Sequence, residues 1–175
     1  LYGRSWARNA IRKADRVLLA EGYFDLVRPV VAGVEEVIAP LGTALTTDQA
    51  ALIARHPKNA FLVYDSDKAG LKATFRAADE LLRHGVSVRV VTLPSGEDPD
   101  TYARKAGREG MEKALSSSVD VIERKIQLLE RGGWFADLHK RRRAIDHLLP
   151  TIRATSDAAT RDMYLGRVSE ATGVD

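Results

Sequence analysis

No cysteine occurs among the 175 residues, which excludes a disulfide framework and any thiolate-held zinc or iron–sulfur centre. The 4 histidines are scattered rather than set at ligand spacing, so a bound metal must be held by oxygen. No apolar run approaches the roughly 20 residues that span a bilayer, and nothing near the N-terminus has the layout of a signal peptide. With no membrane partner implied, the chain reads as cytoplasmic. An initiating methionine is also missing. The sequence opens Leu1-Tyr2-Gly3 and closes Gly173-Val174-Asp175 just past a helical pattern, which suggests a segment of a larger protein.

What is present is a mildly basic chain, 45% hydrophobic, with a net charge of +3. Its length supports one α/β domain with a real core and a small appendage. Arg4, Arg8, Arg12, Lys13 and Arg16 face only Asp15 within residues 1–16, and residues 140–143 read Lys-Arg-Arg-Arg. Such runs are commonly solvated helix faces and are also compatible with nucleic acid.

Four short apolar or β-branched runs, at 17–20, 37–39, 60–64 and 86–91, read as strands. The first and third are continuously apolar, as in strands covered on both faces, and helical patterns separate successive runs. The fold class is therefore α/β, with a mostly parallel four-stranded sheet. Leu71, Phe75, Ala78 and Leu82 form one apolar stripe of a helix ending near His84-Gly85. Thr46 and Gln49 fit a capping box for a helix that stops before Pro57. Leu26 to Val31 suggest another helix, kinked or delayed by Pro29. Beyond residue 115 no strand signal remains. Val119, Ile122, Ile126 and Leu129 form one helical stripe; Leu138, Ile145, Leu149 and Ile152 form a second; Tyr164, Leu165, Val168 and Ala171 form a third. The division is 1–115 as an α/β domain and 116–175 as a helical subdomain.

Candidate chemistry lies where strands end. Glu21 follows the first run, with Asp25 about one helical turn on. Asp65-Ser66-Asp67 follows the third run, and Glu97, Asp98 and Asp100 lie past the fourth. In open parallel sheets ligands gather at the carboxyl ends of the strands. Mg²⁺ takes oxygen ligands, often one or two carboxylates completed by water and phosphate, and two carboxylates two residues apart can serve one ion or an adjacent pair. Glu21 could instead remain unligated as a general acid or base. Asp67 equally fits the N-cap of the next helix, and Asp98-Pro99 fits a helix start with proline at its first position. A phosphoacceptor receiver domain also gathers aspartates around Mg²⁺, but needs an acidic pair after its first strand and a lysine after its last, which this sequence lacks.

Glu21-Gly22-Tyr23-Phe24-Asp25, Leu41-Gly42-Thr43-Ala44-Leu45-Thr46, Tyr64-Asp65-Ser66-Asp67-Lys68-Ala69-Gly70 and Pro94 to Asp100, in that order, resemble the Toprim region of bacterial replicative primases of the DnaG type. The resemblance runs from about residue 16 to residue 110. It implies a Toprim fold followed by a helical part of the RNA polymerase core. It implies Glu21, Asp65 and Asp67 as catalytic residues, and Glu21, Asp25, Asp65, Asp67, Asp98 and Asp100 as the metal-binding set for Mg²⁺ or Mn²⁺, two ions or more. The implied reaction is synthesis of short RNA primers from nucleoside triphosphates on a single-stranded DNA template, within the replisome at the nucleoid. Gly42, Thr43, Lys68, Lys140, Arg141 and Arg143 are weaker candidates for nucleotide or nucleic-acid contact. Arg142, flanked by Leu138 and Ile145 at helical spacing, suggests that part of the basic run packs its stems on the apolar seam instead.

Such primases also carry a zinc ribbon, a basic N-terminal half of the polymerase core and a helicase-contacting domain. The resemblance places these outside this chain, so the replicative helicase is expected to be met through a domain absent here, and priming by the chain alone is expected to be incomplete. Rival readings are another Toprim enzyme, a nuclease or a type IA topoisomerase, and a non-catalytic replisome module that binds DNA without divalent ions.

Overall fold

The computed structural model describes residues 1–65 and 67–174; Ser66, the middle residue of the Asp65-Ser66-Asp67 motif, lies outside them. In chain order the elements are α1 (Arg4–Ala14), β1 (Arg16–Ala20), α2 (Tyr23–Val31), β2 (Val37–Ile38), α3 (Thr47–Ile53), β3 (Asn59–Val63), α4 (Lys68–Arg83), β4 (Ser87–Val90), α5 (Pro99–Ser116), β5 (Val119–Asp120), α6 (Val121–Arg131), α7 (Leu138–Ala154) and α8 (Ala158–Thr172). Helix α5 is broken at Gly107, whose φ of 62° is left-handed.

The strands form one sheet in the order β2-β1-β3-β4-β5. The first four are parallel, joined by crossovers that carry helices. Residues alternate between two cores: Val17 and Leu19 of β1 join Ala60 and Leu62 of β3 on the face covered by α1, α3 and α4, whereas Leu18 and Ala20 meet α2 and α5 on the other. Helices α6, α7 and α8 extend the first of these cores through Ile122, Ile126, Leu148, Ile152 and Tyr164.

Local chemistry sets the helix starts. Thr46 and Gln49 close a reciprocal capping box on α3, with Gln49 N donating to Thr46 Oγ1 at 3.2 Å and Thr46 N donating to Gln49 Oε1 at 3.1 Å. Helix α2 begins directly after Gly22 and holds Pro29 buried inside it, so proline does not delay it. Proline removes one intrahelical bond, the one the Asp25 carbonyl would otherwise accept, and α2 ends only a few residues later, at Ala32.

Three expectations from sequence need correction. A fifth strand exists, because Val119 and Asp120 pair antiparallel with Val90 and Arg89; two residues are too few to show alternation. The inward face of α7 is Ala144, Leu148, Thr151 and Ile152, while Leu138 is 78% exposed, so Arg142 has no buried Leu138 to pack on. In α8 the buried residues are Tyr164, Val168 and Thr172, with Leu165 exposed.

Candidate active site

The connection leaving β1 runs to β2 on one side, and the connection leaving β3 runs to β4 on the other. The carboxyl ends of β1 and β3 therefore flank the point where the winding reverses, a crevice that open α/β sheets use for ligands. Ala20 pairs with Val63, so Glu21 and Asp65 emerge from neighbouring strands at this point. Three helices also begin at this edge. In α2, Gly22 N donates to Asp25 Oδ2 at 3.2 Å. Asp67 caps α4, its Oδ1 accepting from Gly70 N at 2.7 Å, and Asp98 caps α5, its Oδ1 accepting from Thr101 N at 2.7 Å.

The acidic groups feel one another. Glu21 is held above its ordinary pKa by burial first, then by the charges of Asp65, Asp25 and Asp67. Asp25 is raised by burial and by Asp65, against the lowering effect of the Gly22 and Asp100 backbone N–H groups. Asp65 is raised by burial, then by Asp98 and Asp67. The Tyr64 hydroxyl is pushed up by burial and by Glu21. Asp98 is lowered instead, chiefly by the Thr101 backbone donor. Among the described residues, no lysine or arginine forms an ion pair with Glu21, Asp25, Asp65, Asp67 or Asp98. Asp100 differs: it pairs with Arg28 at 2.9 Å and Arg104 at 3.0 Å. Glu97 likewise pairs with Lys105.

Repelling carboxylates without a protein cation form a donor set suited to a hard divalent ion. Among the described residues, no three acidic or histidine side chains stand close enough to enclose one. A closed protein cage is therefore not formed among them; Mg²⁺ is also commonly bound through one or two carboxylates, with water and phosphate completing its shell. Capping and ligation do not compete at Asp67 and Asp98, since each cap bond named above uses Oδ1 and leaves Oδ2 available. Gly70 sets the position of the loop: a Cβ there would lie 2.1 Å from the Asp65 carbonyl oxygen.

Beside Glu21 opens a cleft of about 330 Å³ bordered by Gly42, Thr43, Tyr64, Lys72 and Arg76. The structure thus brings Gly42 and Thr43 to the acidic edge, on a turn where Leu41 and Gly42 have φ of 50° and 67°. Lys68 opens α4 and is exposed. Lys72 and Arg76, at i+4 and i+8 from it, line the cleft; their helical spacing is visible in the sequence, but their place beside Glu21 is not. The α7 cations are elsewhere, and none of them lines this cleft. Lys140 lies 4.0 Å from Asp137, Arg141 Nε donates to the Phe135 carbonyl at 2.8 Å, and Arg143 stands over the Trp134 ring at 5.3 Å.

Comparison with known families matches residues 18–103 to a Toprim-like model and residues 125–175 to the DnaB-helicase binding domain of primase. A DNA primase of Halalkalibacterium halodurans is 37% identical over 97% of this chain. The chain belongs to the DnaG-type primases. It spans 28% of the length of that relative. A DNA primase domain from Pseudomonas aeruginosa has the same fold, with a TM-score of 0.87 and 28% identity over 100% of this chain and 56% of that one. A DnaG primase catalytic domain bound to single-stranded DNA superposes with a TM-score of 0.82, at 29% identity over 96% of this chain and 54% of that one. The match at 125–175 differs from the sequence expectation, which places the helicase contact of such a primase in a domain outside the chain. Among the described residues, no helix is long and apolar enough to cross a membrane.

Proposed function

We propose that this chain is the metal-bearing catalytic part of a bacterial primase, making RNA primers from nucleoside triphosphates on single-stranded DNA in the cytoplasmic replisome. The observation that carries the reading is the emergence of Glu21 and Asp65 from neighbouring strands at the winding reversal between β1 and β3, where the charge of Asp65 raises the pKa of Glu21 and neither has an ion-pair partner among the described residues. Residues 1–115 carry the site, and residues 116–175, apart from the short β5 that joins the sheet, form the helical part. Glu21, Asp65 and Asp67 would hold Mg²⁺ or Mn²⁺, one or two carboxylates to an ion, with Asp25 and Asp98 adding charge at the same edge. Two or more such ions, when bound, would supply positive charge to a triphosphate and Lewis acidity to an attacking 3′-hydroxyl. Lys72 and Arg76 face the same cleft and bind phosphates of the strand or nucleotide. Gly42 and Thr43 let backbone approach them. Asp100, already held by Arg28 and Arg104, fixes α2 against α5 and so positions Asp25.

A second role for residues 116–175 rests on the family match at 125–175: contact with the replicative helicase. The test of the central reading is titration of Mn²⁺ into the wild-type chain and an Asp65→Ala/Asp67→Ala variant. Binding is expected only in the former, and equal binding by both overturns the reading. Incubating the chain, embedded in a full-length relative-sized protein, with a single-stranded template, Mg²⁺ and ribonucleotides separates outcomes further. Extension supports priming, and cleavage supports the nuclease alternative.

A further inference from the structure

The cations of α1 play no part in the site described above. Arg4, Arg8 and Arg12 recur every fourth residue, so their Cα atoms advance by about 6 Å per step along one side of the helix. Ala7 and Ile11 are buried against the sheet, which leaves the arginine row on the flank facing α3. There Arg55 and His56 follow the end of α3. His56 is held below its ordinary pKa by desolvation first, and then by Arg12, Arg8, Arg4 and Arg55 in that order. All four guanidinium groups therefore lie within electrostatic reach of one imidazole. Arg4 and Arg8 also line a narrow cleft with His56, floored by Ile11, Ile38 and Ile53.

Crowding of like charge on this scale destabilises the folded chain unless something answers it. Among the described residues, none of Arg4, Arg8, Arg12 and Arg55 forms an ion pair with a carboxylate. By contrast Arg16, next on the chain, is held by Glu36 and Glu112, as a structural arginine is. Direction matters too. Tyr2, just ahead of α1, bridges Ala39 beyond the end of β2, and Ala14 leads into the start of β1. The row thus begins near the acidic edge and runs away from it down the sheet.

We propose that Arg4, Arg8, Arg12 and Arg55 form a second nucleic-acid site, which grips the phosphodiester backbone of a strand outside the reaction cleft. Forked guanidinium groups suit phosphate oxygens better than ammonium groups do. Evenly spaced cations on one helix flank read backbone and not sequence. A protein partner would need an apolar or aromatic anchor at the centre of its contact. The exposed large apolar side chains among the described residues are Trp6, Tyr23, Phe24, Val31, Leu41, Leu138, Met163, Leu165 and Val174. None belongs to α3, and Trp6 projects from the side of α1 away from the arginine row, two residues out of its spacing. Binding at this row needs no metal; its service to priming rests on the function proposed above.

The test is fluorescence anisotropy with labelled single-stranded and duplex DNA in EDTA, across a salt series. It compares the wild type, Arg4→Gln/Arg8→Gln/Arg12→Gln, and a control losing equal charge elsewhere, Lys113→Gln/Arg131→Gln/Arg153→Gln. The arginine-row variant is expected to lose about tenfold or more in affinity. Its salt slope should fall by about 2, at roughly 0.7 per phosphate contact on a single strand. The control is expected to keep most of both. Whichever DNA shows the larger loss identifies the form of strand held. Equal losses in the two variants, or binding of polyglutamate as tight as DNA, overturn the proposal. Should the triple variant unfold, Arg8→Glu alone reads the same quantity, since Arg8 is exposed. Manganese titration, which reads the other site, is expected to be unchanged, so the two proposals fail separately.

Discussion

At Gly70 a single hydrogen atom decides where a carboxylate points. The first turn of α4 lies so close to the Asp65 carbonyl that an added Cβ would sit 2.1 Å from its oxygen, and backbone cannot yield as a flexible side-chain tip does. Gly70→Ala is therefore expected to cost about 1–3 kcal/mol, in the range of overpacking, and to weaken Mn²⁺ binding by displacing Asp65. Thermal melting and metal titration check both; wild-type values in each would show that the loop adjusts freely. The aspartates show how far residue-level reading reaches. Asp67 and Asp98 look in sequence like either helix caps or metal ligands, and the caps are real. Because a carboxylate has two oxygens, a cap leaves one of them free for a ligand, and a one-letter pattern cannot express that. Lys72 and Arg76 were illegible for the opposite reason: exposed helix cations are ordinary, and only the fold places these two beside Glu21.

Among elements, α4 is the hub, with Asp67 capping its start and the helical part of the chain against its flank. Asp79 of α4 accepts from Thr151 Oγ1 of α7 at 2.6 Å, and Thr151 Oγ1 accepts from Lys125 Nζ of α6. Lys125 is held below its ordinary pKa by burial, with Asp79 acting against that. Thr151→Val removes the shared hydroxyl and leaves both partners in a poorly solvated place. It is expected to destabilise the chain by about 1–3 kcal/mol in urea unfolding, with Mn²⁺ binding intact. Loss of metal binding as well would mean that α4 transmits the change to its first turn. The strands and caps were legible because each depends on short-range pattern. Val17 to Ala20 is apolar on both faces, and Thr46 and Gln49 close their box within four residues. The partner of Thr151 lies 72 positions away, and β5 owes its existence to β4 rather than to its own two residues.

Over the whole molecule, charge is distributed unevenly, with carboxylates crowded at one edge and arginines along one flank. Glu21, Asp25 and Asp65 have folded pKa values raised above their unfolded ones. Their stabilising effect is complete below the unfolded values and is lost as pH rises through the folded ones. Lowering pH from neutral toward the ordinary carboxylate range should therefore raise the melting temperature of the chain in EDTA, relative to a Glu21→Gln/Asp65→Asn variant. The comparison is needed because His56, lowered on folding, works in the opposite direction as pH falls past 6.5. Glu112, lowered by Arg16, does so below 4.5. Saturating Mg²⁺ at neutral pH should replace the proton's effect in the wild type and leave the variant unmoved; parallel curves for the two proteins would contradict the repulsion. Ala20 and Val63 are the last paired residues of β1 and β3, so Glu21 leaves the sheet one residue past its ladder and Asp65 two. The sheet thus anchors the roots of both carboxylates side by side, while the turn into α4 decides how near the second comes to the first. A change confined to that turn can retune the acidic edge without disturbing a single strand.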